Sequence, residues 1–486
     1  MYNENPMKPL AMTNAEQARW EHTGLRRRML LGAWEEDLED ELARHLPADR
    51  REAWGPSDLS SNPFEQITRQ LAVLYSEVPQ VTNMNGNIEA LVSREGLVTQ
   101  AGLWQLMQRA QQMVIGLRES IIRIDVNPHV VGSPVRAPGI QYRLVTPDLV
   151  YCEAHPDQPD LPVYYQEYRL RKTPQGKTIW VADVLDIRNV NDPVFGMFKL
   201  ESDGSLGEDL SEMFMGHPTH RGEGYPYRNK QGDPILPLVL YHAEKTGFLW
   251  DPYNGSSQVY GSMTSACLFS MWTHLVKNAS WSQKYVAGLS VSGMSQLDQN
   301  DIARRSSVAT DPSSILVFTQ DPDSASQPLV GSFGIATDPN NLLESISKYE
   351  MRVALSAGLS PSDISRTHAD PRSGFALAVS RSGQRDSQKK FAPVFRLGDE
   401  LLLAKTAMLS NRFLGTNLPE SGYRVSYHSL PLTPDEMRAQ REDIIAKMTA
   451  GLISPVQAVM MMYDDMDERE AREYLLQIRR ERAEFL

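Results

Sequence analysis

The side chains able to do chemistry are few and scattered. His217 and His220 stand three apart, with Glu223 three further on, a spacing that can hold zinc. Gly and Pro crowd the stretch from His217 to Pro226 and no further ligand cluster follows, so a surface loop is the simpler reading. Asp464, Asp465, Asp467 and Glu468 could gather a cation, but the run lacks EF-hand spacing and glycine and fits a solvated, helix-capping turn. Cys152 and Cys267 lie far apart without CxxC partners, which suggests neither a zinc cluster nor a disulfide framework and makes a reducing compartment the default. The chain contains no GxxxxGK[ST], no GxSxG and no HExxH. No catalytic residue, cofactor or metal site is predicted.

What remains is positive charge placed where it could meet phosphate. Arg381, Arg385 and Lys389 fall four apart on one stripe of an amphipathic segment that opens at Ser373-Gly374-Phe375-Ala376-Leu377 and runs to about Leu414. Its apolar side carries Phe375, Val379, Phe391, Phe395, Leu401, Leu402, Met408 and Leu409. Just upstream, Arg366, His368 and Arg372 alternate with Asp363 and Asp370, so phosphate contact and mutual pairing are both available. A charge stripe is first a solvated or inter-subunit face and only second a DNA contact. Gly383, Pro393 and Gly398 predict that this helix is kinked or broken, since an interior proline costs about 3 kcal/mol.

The elements that must position these residues follow from periodicity. At 486 residues, two or more structural units are expected, with ample apolar content to bury. The first sixty residues, including Arg26-Arg27-Arg28 and the acidic-leucine run Glu35 to Leu46, predict helices ending near Gly55-Pro56. Asn62-Pro63-Phe64-Glu65 predicts a capped helix start with Glu65 returning to the cap, Phe64, Ile67, Leu71 and Leu74 on one face, and an end at Val78-Pro79. A surface helix follows over about Gln100 to Glu119. Period-two runs between Ile121 and His242 predict a mainly β region packed on those helices. Helices are predicted over Ser256 to Trp281 and from Asp338-Pro339 to Gly358, bracketing a small insert with strands near Val286 to Val291 and Ser314 to Thr319. The last fifty residues hold three helix starts, at Thr433-Pro434, Ser454-Pro455-Val456-Gln457 and Asp467, with Met460, Met461 and Met462 read as core. Near the N-terminus the longest near-apolar run is Met29 to Trp34 and nothing later reaches a membrane-spanning length, so the expected place is the cytosol or a particle built there.

The order helix, insert, helix, loop, long helix and helical C-terminus resembles the tailed-bacteriophage portal (head-tail connector) family. Ile235-Leu236-Pro237-Leu238, Ser373-Gly374-Phe375-Ala376-Leu377, Gly451-Leu452-Ile453-Ser454 and the Asp467 to Leu486 helix carry the resemblance, which extends from about Ile235 to the end. It implies an α+β, portal-like protomer: wing 1–255, first stem helix 256–281, clip 282–338, second stem helix 339–358, tunnel loop 359–372, long kinked wing helix with a return strand 373–430, and helical crown 431–486. It further implies a homo-oligomeric ring of about twelve subunits at one capsid vertex of a virion assembled in the host cytoplasm. The implied partners are the major capsid protein, the terminase motor, a head-tail adaptor or neck protein, and double-stranded DNA passing through the channel, with no membrane and no enzymatic activity. Under this resemblance Arg366, His368, Arg372, Arg381, Arg385 and Lys389 are DNA-channel candidates. The balance of 49 basic against 61 acidic residues, a net charge of -12, argues against broad phosphate neutralisation but suits a conduit on which DNA must slide. The first sixty residues match no part of the family. Two other readings stand beside it: a cytosolic enzyme, such as a hydrolase using acidic residues of the β-rich region, and a different phage neck or baseplate protein.

Overall fold

The computed structural model describes residues 12–45, 57–126, 139–214, 227–229, 231–251, 256–280, 283–287, 315–318, 329–333, 338–359, 382–428, 434–462 and 468–484. It is a mixed α+β protein. Helix α1 (Asn14–Leu31) starts at a capping box in which Thr13 accepts from Glu16 N and the Glu16 carboxylate accepts from Thr13 N at 2.8 Å. Helix α2 (Glu35–His45) buries Leu38 and Leu42. In α3 (Pro63–Leu71) the Asn62 side chain accepts from Glu65 N at 3.2 Å as expected, but the Glu65 carboxylate pairs with Arg69 instead of returning to the cap. This helix also stops at Leu71, well before Val78-Pro79, because Gln111 Oε1 captures the Leu74 N–H at 3.0 Å and holds the chain off the helical path.

Gln111 belongs to α4 (Leu103–Leu117), and its burial overturns the expectation of a surface helix. Gln111 and Gln112 are both buried beside Met107, Ala110 and Val114, and α4 sits between the helices α1 and α3 and the strand β2 (Glu119–Val126). Strand β2 is the centre of an antiparallel sheet with β3 (Ile140–Val145) and β9 (Leu238–His242), and it is covered on both faces. A five-stranded meander comprises β4 (Val150–His155), β5 (Gln158–Lys172), β6 (Thr178–Asp186), β7 (Val194–Leu200) and β8 (Leu206–Asp209); β4, β7 and β8 carry too little alternation to read in sequence. Strand β1 (Gln80–Asn83) pairs antiparallel with β13 (Tyr423–Ser426), joining residues more than three hundred positions apart.

The two β units meet through charge. Arg123 on β2 stands opposite Arg143 on β3, and Glu167 on β5 stands opposite Asp183 on β6. Like charges facing each other across a strand pair destabilise either sheet alone. Brought together, they neutralise: Arg123 reaches Glu167 at 2.9 Å and Asp183 at 2.8 Å, Arg143 reaches Asp125 at 2.5 Å and Glu167 at 2.7 Å, and Arg169 reaches Asp183 at 2.7 Å. Burial works to raise the Glu167 carboxyl, but Arg123 and Arg143 outweigh it and hold the group below the usual carboxylate range.

Helix α5 (Ser256–Ser280) leads to three short strands, β10 (Gln283–Ala287), β11 (Ile315–Phe318) and β12 (Leu329–Phe333), in the order β11-β10-β12. β10 runs parallel to β11 and antiparallel to β12, and β12 had no counterpart in the sequence reading. Helix α6 (Pro339–Ser356) starts at Asp338, whose side chain accepts from Asn340 N at 2.9 Å, and ends before Gly358.

The long helix α7 (Ser382–Phe413) stays helical through Pro393, so the expected break is absent. Pro393 and Lys389 are both on the exposed side, where the carbonyl freed by the missing N–H can reach water. Helices α8 (Pro434–Thr449), α9 (Pro455–Met462) and α10 (Glu468–Glu484) complete the chain. Ser454 and Gln457 cap α9 reciprocally, at 2.9 and 3.2 Å, as their spacing predicts. Met461 and Met462 are exposed in the single chain, a correction to their reading as core; Ala458 and Val459 are the residues α9 buries.

Candidate functional site

Helices α5 and α6 lie side by side and antiparallel, a geometry fixed by three contacts along their length. Near one end Gly261 abuts Val353 so closely that an added Cβ would stand 2.7 Å from Val353 Cγ2. One turn on, Glu350 accepts from Ser265 at 2.8 Å and from Ser61 at 2.5 Å, so the chain entering α3 is tied to both helices at one carboxylate. At the other end Trp272 Nε1 donates to Pro339 O at 2.9 Å. Small residues on α5 make this approach possible: Gly261, Ser262, Ser265 and Ala266 are all buried, as the sequence pattern predicts. In the chain the β10–β12 sheet falls between these two helices.

Helix α7 is fastened to the body at one residue the sequence reading overlooked. Asp399 is buried and accepts from Tyr241 at 2.8 Å, from Tyr427 at 2.8 Å, and from Tyr75, whose hydroxyl lies 2.9 Å from both carboxylate oxygens. Tyr75 follows α3, Tyr241 lies in β9 and Tyr427 follows β13, so a single carboxylate gathers three segments onto the helix. Gly398 lets the Tyr241 ring in: a Cβ there would stand 2.5 Å from Tyr241 Cε1. That is the work of this glycine, and α7 continues through it unbroken. Burial pushes the Asp399 carboxyl up to about 7, against the three hydroxyls, which favour its charged form. Phe395 and the tyrosine rings seal the group, so it can hold a proton but offers no path for one to a substrate.

Two of the six predicted cationic candidates, Arg385 and Lys389, fall among the described residues. Arg366, His368, Arg372 and Arg381 lie outside the described residues, as do His217, His220, Glu223 and the acidic run Asp464 to Asp467. On α7, Arg385 is half-buried and Lys389 is exposed. The neighbouring Lys390 pairs with Glu244 at 2.6 Å. In the Arg26-Arg27-Arg28 run, Arg27 bonds Asp148 at 2.5 Å, Arg28 bonds Asp37 at 2.7 Å, and Arg26 is buried. A triplet of arginines carries no local mark of this inward turn; for Arg27 the acid that receives it lies 121 positions along the chain.

Cys152 and Cys267 are buried free thiols. Among the described residues no group of three or more His, Cys, Asp or Glu is placed to hold a metal ion, and no helix is long and apolar enough to cross a membrane.

No protein-family model matches the chain, and no curated protein matches it. Solved structures do resemble it. A chain from the virion of the native gene transfer agent particle is 12% identical with a TM-score of 0.39, over 84% of this chain and 94% of that one. A chain from the neck of the native particle with C12 symmetry is 11% identical with a TM-score of 0.38, over 83% and 90%. A chain from the neck of the empty particle with C6 symmetry is 13% identical with a TM-score of 0.41, over 84% and 94%. At TM-scores this low the likenesses carry no functional argument.

Proposed function

We propose that this chain is a portal-type ring protomer, passive in chemistry, that passes double-stranded DNA through the axis of a ring at one capsid vertex. The observation that carries the reading is the antiparallel pair α5 and α6, which brackets a three-stranded sheet and is followed in the chain by the 32-residue helix α7 and a helical terminus. A conduit needs stiff helices standing side by side, an insert with strand edges to offer neighbours, and a long helix locked to a body. The helix pair, the β11-β10-β12 sheet and the Asp399 anchorage supply one each.

Apolar side chains left uncovered on the same helices fit ring assembly. Tyr260 and Leu268 on α5, Leu355 on α6 and Leu397 and Leu401 on α7 are exposed in the single chain. On this reading they pack between copies, and the ring serves as docking point for the packaging motor, the capsid protein and head-tail adaptors during genome packaging and ejection. Two buried carboxylates of the β-rich region, Glu167 and Asp183, are committed to arginines, which favours the passive role.

Negative-stain electron microscopy with native mass measurement of the purified full chain tests the proposal. Rings of about a dozen copies with an axial hole are expected. A chain that stays monomeric or dimeric, both alone and when co-expressed with its capsid protein, overturns it.

A further inference from the structure

A cavity of about 510 Å³ opens between the C-terminal end of α4, the start of α5, the end of α6 and the start of α7. Charged side chains decide what the space will accept. Among the described residues three cations line it: Arg26, Arg118 and Lys390. The lining carboxylates are Glu244 and, at an exposed position, Asp386.

The pairing among these groups is unequal. Arg118 reaches Asp251 at 2.9 Å and Glu244 at 3.2 Å, and Lys390 reaches the same Glu244 at 2.6 Å. Arg26 is 4% exposed, has one long hydrogen bond, from Nη1 to Gly116 O at 3.5 Å, and has no carboxylate within ion-pair distance among the described residues. Burial and the nearby charge of Arg118 work against the Arg26 guanidinium and lower its pKa to about 10, and Glu119 and Asp251, beyond ion-pair distance, offset only part of this. Arg118 is itself held at φ 76, the only non-glycine residue in the left-handed region among the described residues, a strained backbone of the kind that gathers at ligand sites. An anion in the cavity would supply the counter-charge that Arg26 lacks. Guanidinium forks suit phosphate oxygens, the hydroxyls of Ser257, Ser356 and Ser387 can donate to them, and Phe64, Leu71, Ile115 and Phe391 make an apolar part of the wall.

We propose that this cavity binds a small phosphate-bearing molecule, with its phosphate on Arg26 and Lys390 and its organic part against Leu71 and Phe391. Arg385 and Lys389 of the predicted stripe are not among the residues that line it.

Thermal unfolding of the full-length protein tests this, titrated with inorganic phosphate, with phenyl phosphate and with chloride at matched ionic strength. Phosphate is expected to raise Tm saturably, and phenyl phosphate to do so at lower concentration because it also covers the apolar wall. Arg26→Met should weaken the apparent phosphate affinity about tenfold or more, as befits loss of a charge-assisted hydrogen bond. Lys390→Met changes an exposed side chain, leaves the fold in place, and should weaken phosphate a few-fold. Shifts that chloride reproduces, or a full phosphate response in Lys390→Met and in whichever of Arg26→Met and Arg26→Lys folds, overturn the proposal.

Discussion

Replacing Asp399 by Asn removes a buried charge while keeping an acceptor for the surrounding tyrosines, and its effect on stability has a sign and a pH window. The Asp399 carboxyl rises from 3.8 to about 7 on folding, chiefly through burial, with Glu400 adding to the rise. At about 1.4 kcal/mol per pH unit, that amounts to about 4 kcal/mol of penalty once the group is ionised. Because the folded state binds the proton more tightly, the favourable contribution is complete below the unfolded pKa and is lost as pH climbs from about 4 through about 7. Wild type should therefore lose stability against Asp399→Asn by about 4 kcal/mol between pH 4 and pH 8, most steeply from pH 4 to 7, with a flat difference above. Loss of hydrogen bonds in the variant adds an offset that does not depend on pH, and the Glu119 carboxyl, also pushed up to about 7 by burial, titrates alike in both proteins. Urea unfolding followed by tryptophan fluorescence at several pH values reads the difference. A gap between the two proteins that stays constant over this range would refute the account of Asp399 as a desolvated, proton-holding anchor.

Three further changes follow from the packing. Arg123→Met leaves Glu167 and Asp183 short of a cation at the junction of the two β units and should cost about 3–5 kcal/mol in urea unfolding, with a smaller loss if Glu167→Gln is added. Since Glu167 and Asp125 are held below the usual range by Arg123 and Arg143, their share of stability is present above about pH 4 and should disappear as pH falls below it, which acid titration of near-UV dichroism will register. Gly261→Val forces the helix pair apart at Val353 and should destabilise by about 1–3 kcal/mol, with Val353→Ala restoring much of the loss in a double-mutant cycle. Charge reversal of Arg381, Arg385 and Lys389 to Glu should impair DNA packaging or retention while rings still form; rings that fail would put the stripe at a subunit interface, and unchanged packaging would remove both roles.

Local rules made much of the fold legible in the chain. Asp338-Pro339 and Ser454-Pro455-Val456-Gln457 each begin a helix where they should, because a cap is satisfied by residues two or three positions away and the chain carries the whole interaction in one short string. The small residues of α5 marked a close helix approach for the same reason, though not the partner. What the string could not carry is any contact whose two halves lie far apart. Arg27 turns inward to Asp148 and Gln111 halts α3 because of groups met only after folding, and α7 runs on through Pro393 because folding leaves that side to water.

For the functional residues the division is sharper. By itself the sequence determined the absence of familiar catalytic fingerprints, the helix-insert-helix order and the chemistry of the cationic candidates, since each is a matter of residue type and spacing. Only the tertiary structure decided that Asp399 sits under three tyrosines from three segments, that two pairs of like charges cancel across sheets, and that Arg26 faces a cavity without a counter-ion. Electrostatic energy depends on distance in space and on the water excluded between groups, and neither is written in the order of residues along a chain.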